Sequence, residues 1–243
     1  VNLPTVVESP TESARFGLRV GRCELDGVVD AVGLATAADG FDIVVLRYPA
    51  ENVAAPFELS RLPGFVSYTA DHLCYWDWRG PVADVEVPAG WRVDQDPDVG
   101  DVADVVRDAF ENYRNHYSAN PLIDEAAALD GYCEWATHLA AVVGSAFLLR
   151  DTSQHGVGVA LVDWSAELPD IKLAGMRTSA QRRGLYPVLL HAVMERAVAL
   201  GHGGLRISTQ SHNAKVMRVW ARMGFVPVGA VATQHLVRVE LLD

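Results

Sequence analysis

The residues Gln181-Arg182-Arg183-Gly184-Leu185-Tyr186 put two guanidinium groups and a glycine between an apolar run ending at Thr178 and a long apolar-periodic segment. That order spells strand, basic turn, helix. Such a turn leaves several backbone N–H groups unpaired at a helix N-terminus, where the helix dipole favours negative charge by ~0.3–1 kcal/mol. The N–H groups of Arg183, Gly184 and Leu185 can hold a pyrophosphate while the Arg182 and Arg183 side chains reach outer phosphate oxygens. Read alone, the six residues also fit an ordinary basic helix start. A second concentration of chemistry is Tyr113-Arg114-Asn115-His116-Tyr117, rich in groups that bond hydroxyls and stack on rings. His116 is a candidate base because imidazole titrates near neutrality, with a solvated loop histidine as the plainer alternative.

The elements needed to position these residues follow from periodicity. Trp91-Arg92-Val93 begins a run of a short strand, a helix that Asp101 can cap and that carries Val102, Val105, Val106 and Phe110, and a second helix over 124–139. Strands over 146–149, 156–163 and 171–177 lead to the basic turn, then a helix ended by Gly201, a strand over 205–209, a helix over 213–223 and strands over 225–228 and 231–241. Upstream, strands over 18–25 and 41–46, a helical segment over 51–62 and extended pieces over 64–69 and 72–78 form a smaller α/β unit. Turn formers at Gly80-Pro81 and Pro88-Ala89-Gly90 place the boundary so that domains span 1–88 and 89–243.

Composition narrows the functions. A net charge of −11 over 243 residues argues against binding nucleic acid, whose affinity comes from clustered cations displacing counterions, so any anion site must be local. No apolar run is long enough to span a bilayer. Cys23, Cys74 and Cys133 are widely spaced, which suits a reducing cytoplasm, and neither they nor the scattered histidines His72, His138, His155, His191, His202, His212 and His235 have metal-ligand spacing. His212 stays of interest for its place beside Asn213.

The strand, the Gln181–Tyr186 turn, Asn213 and Gly224-Phe225, in that order and spacing, resemble the GNAT superfamily of acyl-CoA-dependent N-acyltransferases over residues 91–243. The resemblance implies an α/β GNAT fold, a mixed, largely antiparallel splayed sheet flanked by helices, with acetyl-CoA as cofactor. It also implies that the Ala174 N–H bonds the thioester carbonyl, that the Met176 and Thr178 backbones bond the pantetheine arm, and that Asn213 contacts that arm. A helix N-cap bonded to the backbone is the other role open to Asn213. Asp170 stands where relatives carry a carboxylate base; an ordinary surface aspartate is the alternative. Two positions depart from the pattern. Tyr186 replaces a Gly or Ala, and Trp220 replaces the tyrosine that serves many relatives as general acid, leaving Trp220 to pack on the cofactor arm or the core.

Gly131-Tyr132-Cys133-Glu134-Trp135, the His-Tyr loop, Arg183-Gly184-Leu185-Tyr186 and Ser208-Thr209-Gln210 further resemble the bacterial TDP-fucosamine acetyltransferase group, in which the N-terminal unit is a degenerate GNAT-like domain. That resemblance implies acetyl transfer to a primary amine of a small molecule, an amino-sugar above all, by direct attack in a ternary complex. Tyr113, His116 and Tyr117 would then contact the acceptor; a homodimer is allowed. The same framework admits an amino acid, peptide or antibiotic amine as acceptor, or a module that binds acyl-CoA without turnover.

Overall fold

The computed structural model describes residues 4–27 and 30–242. In chain order the elements are β1 (Val7–Glu8), α1 (Pro10–Phe16), β2 (Val20–Glu24), α2 (Ala31–Ala37), β3 (Ile43–Pro49), α3 (Ala55–Leu59), β4 (Phe65–Trp78), β5 (Arg92–Gln95) and α4 (Val99–Phe110). They continue with a 3-10 turn (His116–Ala119), α5 (Glu125–Ala140), β6 (Ala146–Arg150), β7 (Gly156–Asp163), β8 (Asp170–Met176), a second 3-10 turn (Thr178–Ala180), α6 (Tyr186–Ala199), β9 (Leu205–Gln210), α7 (Ala214–Arg222), β10 (Phe225–Arg238) and a third 3-10 turn (Val239–Leu241). These elements divide into two compact units. The first takes Val1–Cys74, Arg114–Ala127 and Gly229–Asp243; the second takes Tyr75–Tyr113 and Ala128–Val228.

In the second unit, β5 to β8 run antiparallel to their neighbours and β9 runs parallel to β8. Period-2 alternation decides what each face meets. Phe147, Leu149, Ala160 and Val162 pack with the α6 residues Leu189, Leu190, Val193 and Met194. Their neighbours Ala146, Leu148, Val159 and Leu161 pack with Val102, Val105 and Val106 of α4 and Cys133 and Ala136 of α5. Helices on both faces explain why β7 reads as an almost unbroken apolar run.

The first unit places β2 parallel to β3, with β1 antiparallel to β2 and β10 antiparallel to β3 over Val231–Val237. One sheet face carries Cys23, Leu46, Tyr48 and Leu236 into an apolar cluster with α2 and α3. The other face is mixed, with Val20, Ile43, Val45 and Val237 beside Arg22, Arg47, Thr233 and His235.

The mixed α/β architecture, with largely antiparallel sheets flanked by helices, is as expected. Several details differ. The extended pieces over 64–69 and 72–78 are one strand, β4, and the two final strands are likewise one, β10, because no residue between the halves forces a turn. The cap of α4 is Asp98, whose side chain accepts from the Gly100 N–H at 2.8 Å; Asp101 lies in the first turn and binds Arg150 instead. α1 and α2, seven residues each, are too short to show an apolar period. The compact units also differ from a division at residue 88, since segments 114–127 and 229–243 join the first. All three cysteines are free, and burial pushes the Cys23 thiol up to about 11.

Candidate active site

β8 and β9 pair only at their N-terminal halves, Asp170 with Arg206 and Ile171 with Ile207. Beyond those pairs the register ends, and β8 runs on to Met176 while β9 runs on to Gln210. The gap opens at the carboxyl ends of two parallel strands, where ligands of α/β sheets characteristically bind. On its other edge β8 stays in register with β7, Ala174 opposite Ala160 and Met176 opposite Gly158. The Arg177 N–H donates to the Val157 carbonyl at 2.8 Å. Strand alternation therefore turns the N–H groups of Ala174 and Met176 toward the gap. On one face of β8 α4 comes close: a Cβ on Gly175 would lie 2.9 Å from the Phe110 ring, so a side chain there would have to push that ring aside.

The basic turn follows directly. Arg182 and Gly184 both have positive φ, 63° and 73°. Left-handed residues alternating along a turn make a concavity of backbone N–H groups that suits an anion. The N–H groups of Arg183, Gly184 and Leu185 have no acceptor among the described residues, and Pro187 in the first turn of α6 has no N–H to offer. A Cβ on Gly184 would meet nothing within 4 Å, so the concavity faces open space. Arg182 and Arg183 are exposed, with no carboxylate partner among the described residues. Gln181 instead turns its amide inward, donating to the Met176 carbonyl at 3.1 Å.

Thr178 departs from its expected role. Its N–H donates to the Asp108 carboxylate at 2.7 Å and its carbonyl accepts from the Gln181 N–H, so neither is free for a pantetheine arm. Asp108 also pairs with Arg177, 3.5 Å away, and Asp104 pairs with the same guanidinium. α4 thus fixes the strand-to-turn junction. Sequence reading missed this, because a tie across 70 residues leaves no local signal.

At the open end of β9 a polar network forms. The Tyr113 hydroxyl lies 3.1 Å from Thr209 Oγ1 and donates to the Gln210 side chain. Asn213 donates its amide to the Thr209 hydroxyl at 3.0 Å. Asn213 holds the N-cap position of α7, but its side chain makes no bond to the helix backbone, which sets the capping reading aside. The exposed His212 ring stands 6.3 Å from that of Tyr113. Trp220 is buried against Trp76 and Phe225, and its indole N–H donates to the Tyr186 hydroxyl at 3.2 Å. The two departures from the family pattern therefore touch each other. Burial holds the Tyr186 phenol well above its ordinary range, against the Trp220 N–H; the nearby Tyr113 phenol adds to the rise.

Other expected residues lie elsewhere. Asp170 sits at the closed end of the gap, with one oxygen 2.7 Å from Lys172 and the other buried without a partner. It lies four positions before Ala174, about 13 Å along a strand. His116 and Tyr117 belong to the first unit. His116 is buried rather than solvated, its Nδ1 3.1 Å from His235 Nε2, and Tyr117 donates to Glu12. Burial, then the neighbouring His235, Arg47 and Arg22, hold the His116 pKa well below that of a free imidazole. A base kept neutral so firmly takes up protons poorly.

No protein-family model and no curated protein matches the chain. Solved structures do match. A GCN5-related N-acetyltransferase from Kribbella flavida aligns at a TM-score of 0.63 and 17% identity, over 98% of this chain and 88% of that one. One from Sphaerobacter thermophilus aligns at 0.62 and 17%, over 96% and 75%. A fungal glucosamine N-acetyltransferase region aligns at 0.62 and 10%, over 96% of this chain and 31% of that one. With a gap that opens between parallel strands and a basic turn at its mouth, this chain has the fold of the GCN5-related N-acetyltransferases.

Proposed function

We propose that the chain is an acyl-CoA-dependent N-acyltransferase that moves acetyl from acetyl-CoA to a primary amine of a small molecule. The observation that carries this reading is the gap between β8 and β9 with the unpaired N–H groups of Arg183, Gly184 and Leu185 at its mouth. Bound acetyl-CoA would supply the activated acetyl group as a thioester. The turn and its two arginines would hold the pyrophosphate, the Met176 N–H the pantetheine arm, and the Ala174 N–H the carbonyl oxygen as it gains negative charge.

Breakdown of the thioester also needs a proton at the leaving sulfur. With Trp220 unable to supply it, Tyr186 is the phenol we assign to this step, because Trp220 holds its hydroxyl; the burial that raises its pKa opposes the transfer. Trp220 donates into its oxygen, which leaves the phenolic proton free to be given and would stabilise the phenolate left behind. The amine's proton would return to Tyr186 through water.

An amino-sugar, free or nucleotide-linked, is the acceptor class we favour, in keeping with the name of the fungal region of like fold. The N-terminal unit reads as a degenerate partner domain. The three free thiols fit a reducing compartment.

The test is calorimetric binding of acetyl-CoA together with thiol release against amino-sugars, aminoglycosides, amino acids, polyamines and peptides. Tyr186→Phe should lower kcat by about 10²–10⁴ with acetyl-CoA affinity unchanged. Equal turnover in that variant would remove Tyr186 from the reaction. Tight binding without release from any acceptor would favour a module that binds acyl-CoA without turnover, the reading suggested by Trp220.

A further inference from the structure

The first unit's sheet has a second face, apolar at Val20, Ile43 and Val237 and polar beside them, that none of the chemistry above uses. By alternation it carries Arg22 of β2, Val45 and Arg47 of β3, and Thr233 and His235 of β10. Chain covers it closely. Glu12 of α1 takes both a bidentate bond from Arg22, at 2.6 and 2.7 Å, and the Tyr117 hydroxyl. His116 meets His235 on one ring nitrogen, and Asn120 meets the other at 3.2 Å. The Tyr68 ring of β4 stands 5.9 Å from that of His235. Glu12, His116, Asn120, Thr233 and His235 are all at most 5% exposed.

Burying the polar part of a face is costly unless its groups are paired. Three atoms are not: Arg47 Nε, Tyr68 Oη and Thr233 Oγ1 are buried without a partner, in residues of which Thr233 is fully buried and Arg47 and Tyr68 are half-buried. Arg47 and Thr233 are direct cross-strand partners, so their side chains leave the sheet side by side. Each unpaired group can donate a hydrogen bond. The charges are also unequal. Glu12 is taken by Arg22 and Tyr117, whereas Arg47 has no carboxylate partner among the described residues; Glu24, beside it on β2, is exposed and makes no ion pair with it. Arg47 and Arg22 both push the His116 and His235 pKa values down, on top of burial, while Glu12 pushes that of His235 up.

We propose that this face is a binding site for the carboxylate group of a small molecule, held by Arg47, Tyr68 and Thr233 beside His235. One uncompensated cation and three donors match one negative charge spread over two acceptor oxygens. The site lies wholly within the first unit and does not depend on acyl transfer.

The experiment is titration of the full chain with sodium acetate, followed through the imidazole signals of His116 and His235 by NMR, with sodium chloride at equal ionic strength as reference. Acetate should shift both imidazoles saturably and chloride should not. Arg47→Gln and Thr233→Val should each weaken acetate about tenfold or more, the worth of a charge-assisted hydrogen bond. Tyr68→Phe, which removes one oxygen and keeps the ring, should weaken it as well and stands in if the buried substitutions fail to fold. No saturable shift in the wild-type chain, or the same affinity in a folded Arg47→Gln or Tyr68→Phe chain, would overturn the site.

Discussion

His235 and His116 show how a buried pair turns protonation into stability. Burial, partly offset by Glu12 but reinforced by Arg22 and Arg47, brings the His235 pKa from 6.5 down to about 4, and His116 falls the same way. Between those limits the unfolded chain binds protons that the folded chain does not. Stability is therefore complete above about pH 6.5 and declines as pH falls toward 4, by about 3 kcal/mol for His235 alone. The depressed carboxyl of Glu12 adds its own loss further into acid. Urea unfolding at pH 7 and pH 5 should show the decline, and His235→Gln should flatten it; an unchanged slope would mean the pair opens to solvent in the native chain. At Gly184 the question is backbone alone, since a Cβ there meets nothing. Gly184→Ala should cost about 1–2 kcal/mol through its left-handed φ and weaken acetyl-CoA in calorimetry by distorting the N–H concavity. The six-residue turn announces that concavity in its own composition. The bond between Trp220 and Tyr186 could not be read in advance, because each residue is informative only once the fold joins positions 34 apart.

Among the elements, α4 has more to do than its apolar stripe suggests. Val102, Val105 and Val106 make its packing face legible, as the valines of β7 do for that strand. Asp104 and Asp108 look like solvent-facing charges by the same pattern, yet they hold Arg177 and the Thr178 N–H at the start of the basic turn. Asp108→Ala should cost about 1 kcal/mol in denaturant unfolding and lower acetyl-CoA affinity without any contact to the ligand. Asp108→Asn keeps an oxygen for the Thr178 N–H and should recover most of the loss. If the alanine variant binds acetyl-CoA as the wild type does, the turn holds its shape unaided. Element boundaries were hardest to read where the chain is extended: β4 and β10 each look like two strands because Ala70-Asp71 and Gly229-Ala230 interrupt their runs of larger side chains. The gap was expected from the family resemblance alone and not from the residues of the two strands. Register is a property of two strands, and nothing in 170–176 or 205–210 says that pairing stops after two residues.

For the molecule as a whole, the order of the chain and the grouping of its elements disagree. A boundary drawn from Pro88-Ala89-Gly90 follows turn composition, which marks where the chain bends but not which parts pack together. β3, buried along Ile43–Leu46, pairs on one side with β2 and on the other with seven residues of β10 that arrive from the far end of the sequence. A fragment ending at residue 88 would keep β2 and lose β10. It would present the apolar β3 as an open edge, the kind of strand that natural sheets cover or charge to prevent pairing with other chains. It would also lose the His116–Asn120 segment that covers the polar part of the mixed face. The fragment 1–88 should therefore aggregate or give a collapsed NMR spectrum, whereas joining 1–74 to 229–243 through a flexible linker should improve dispersion by returning the missing strand. A soluble 1–88 fragment with dispersed signals and cooperative unfolding would show that β10 is dispensable to the first unit, and that the boundary lies where turn composition puts it.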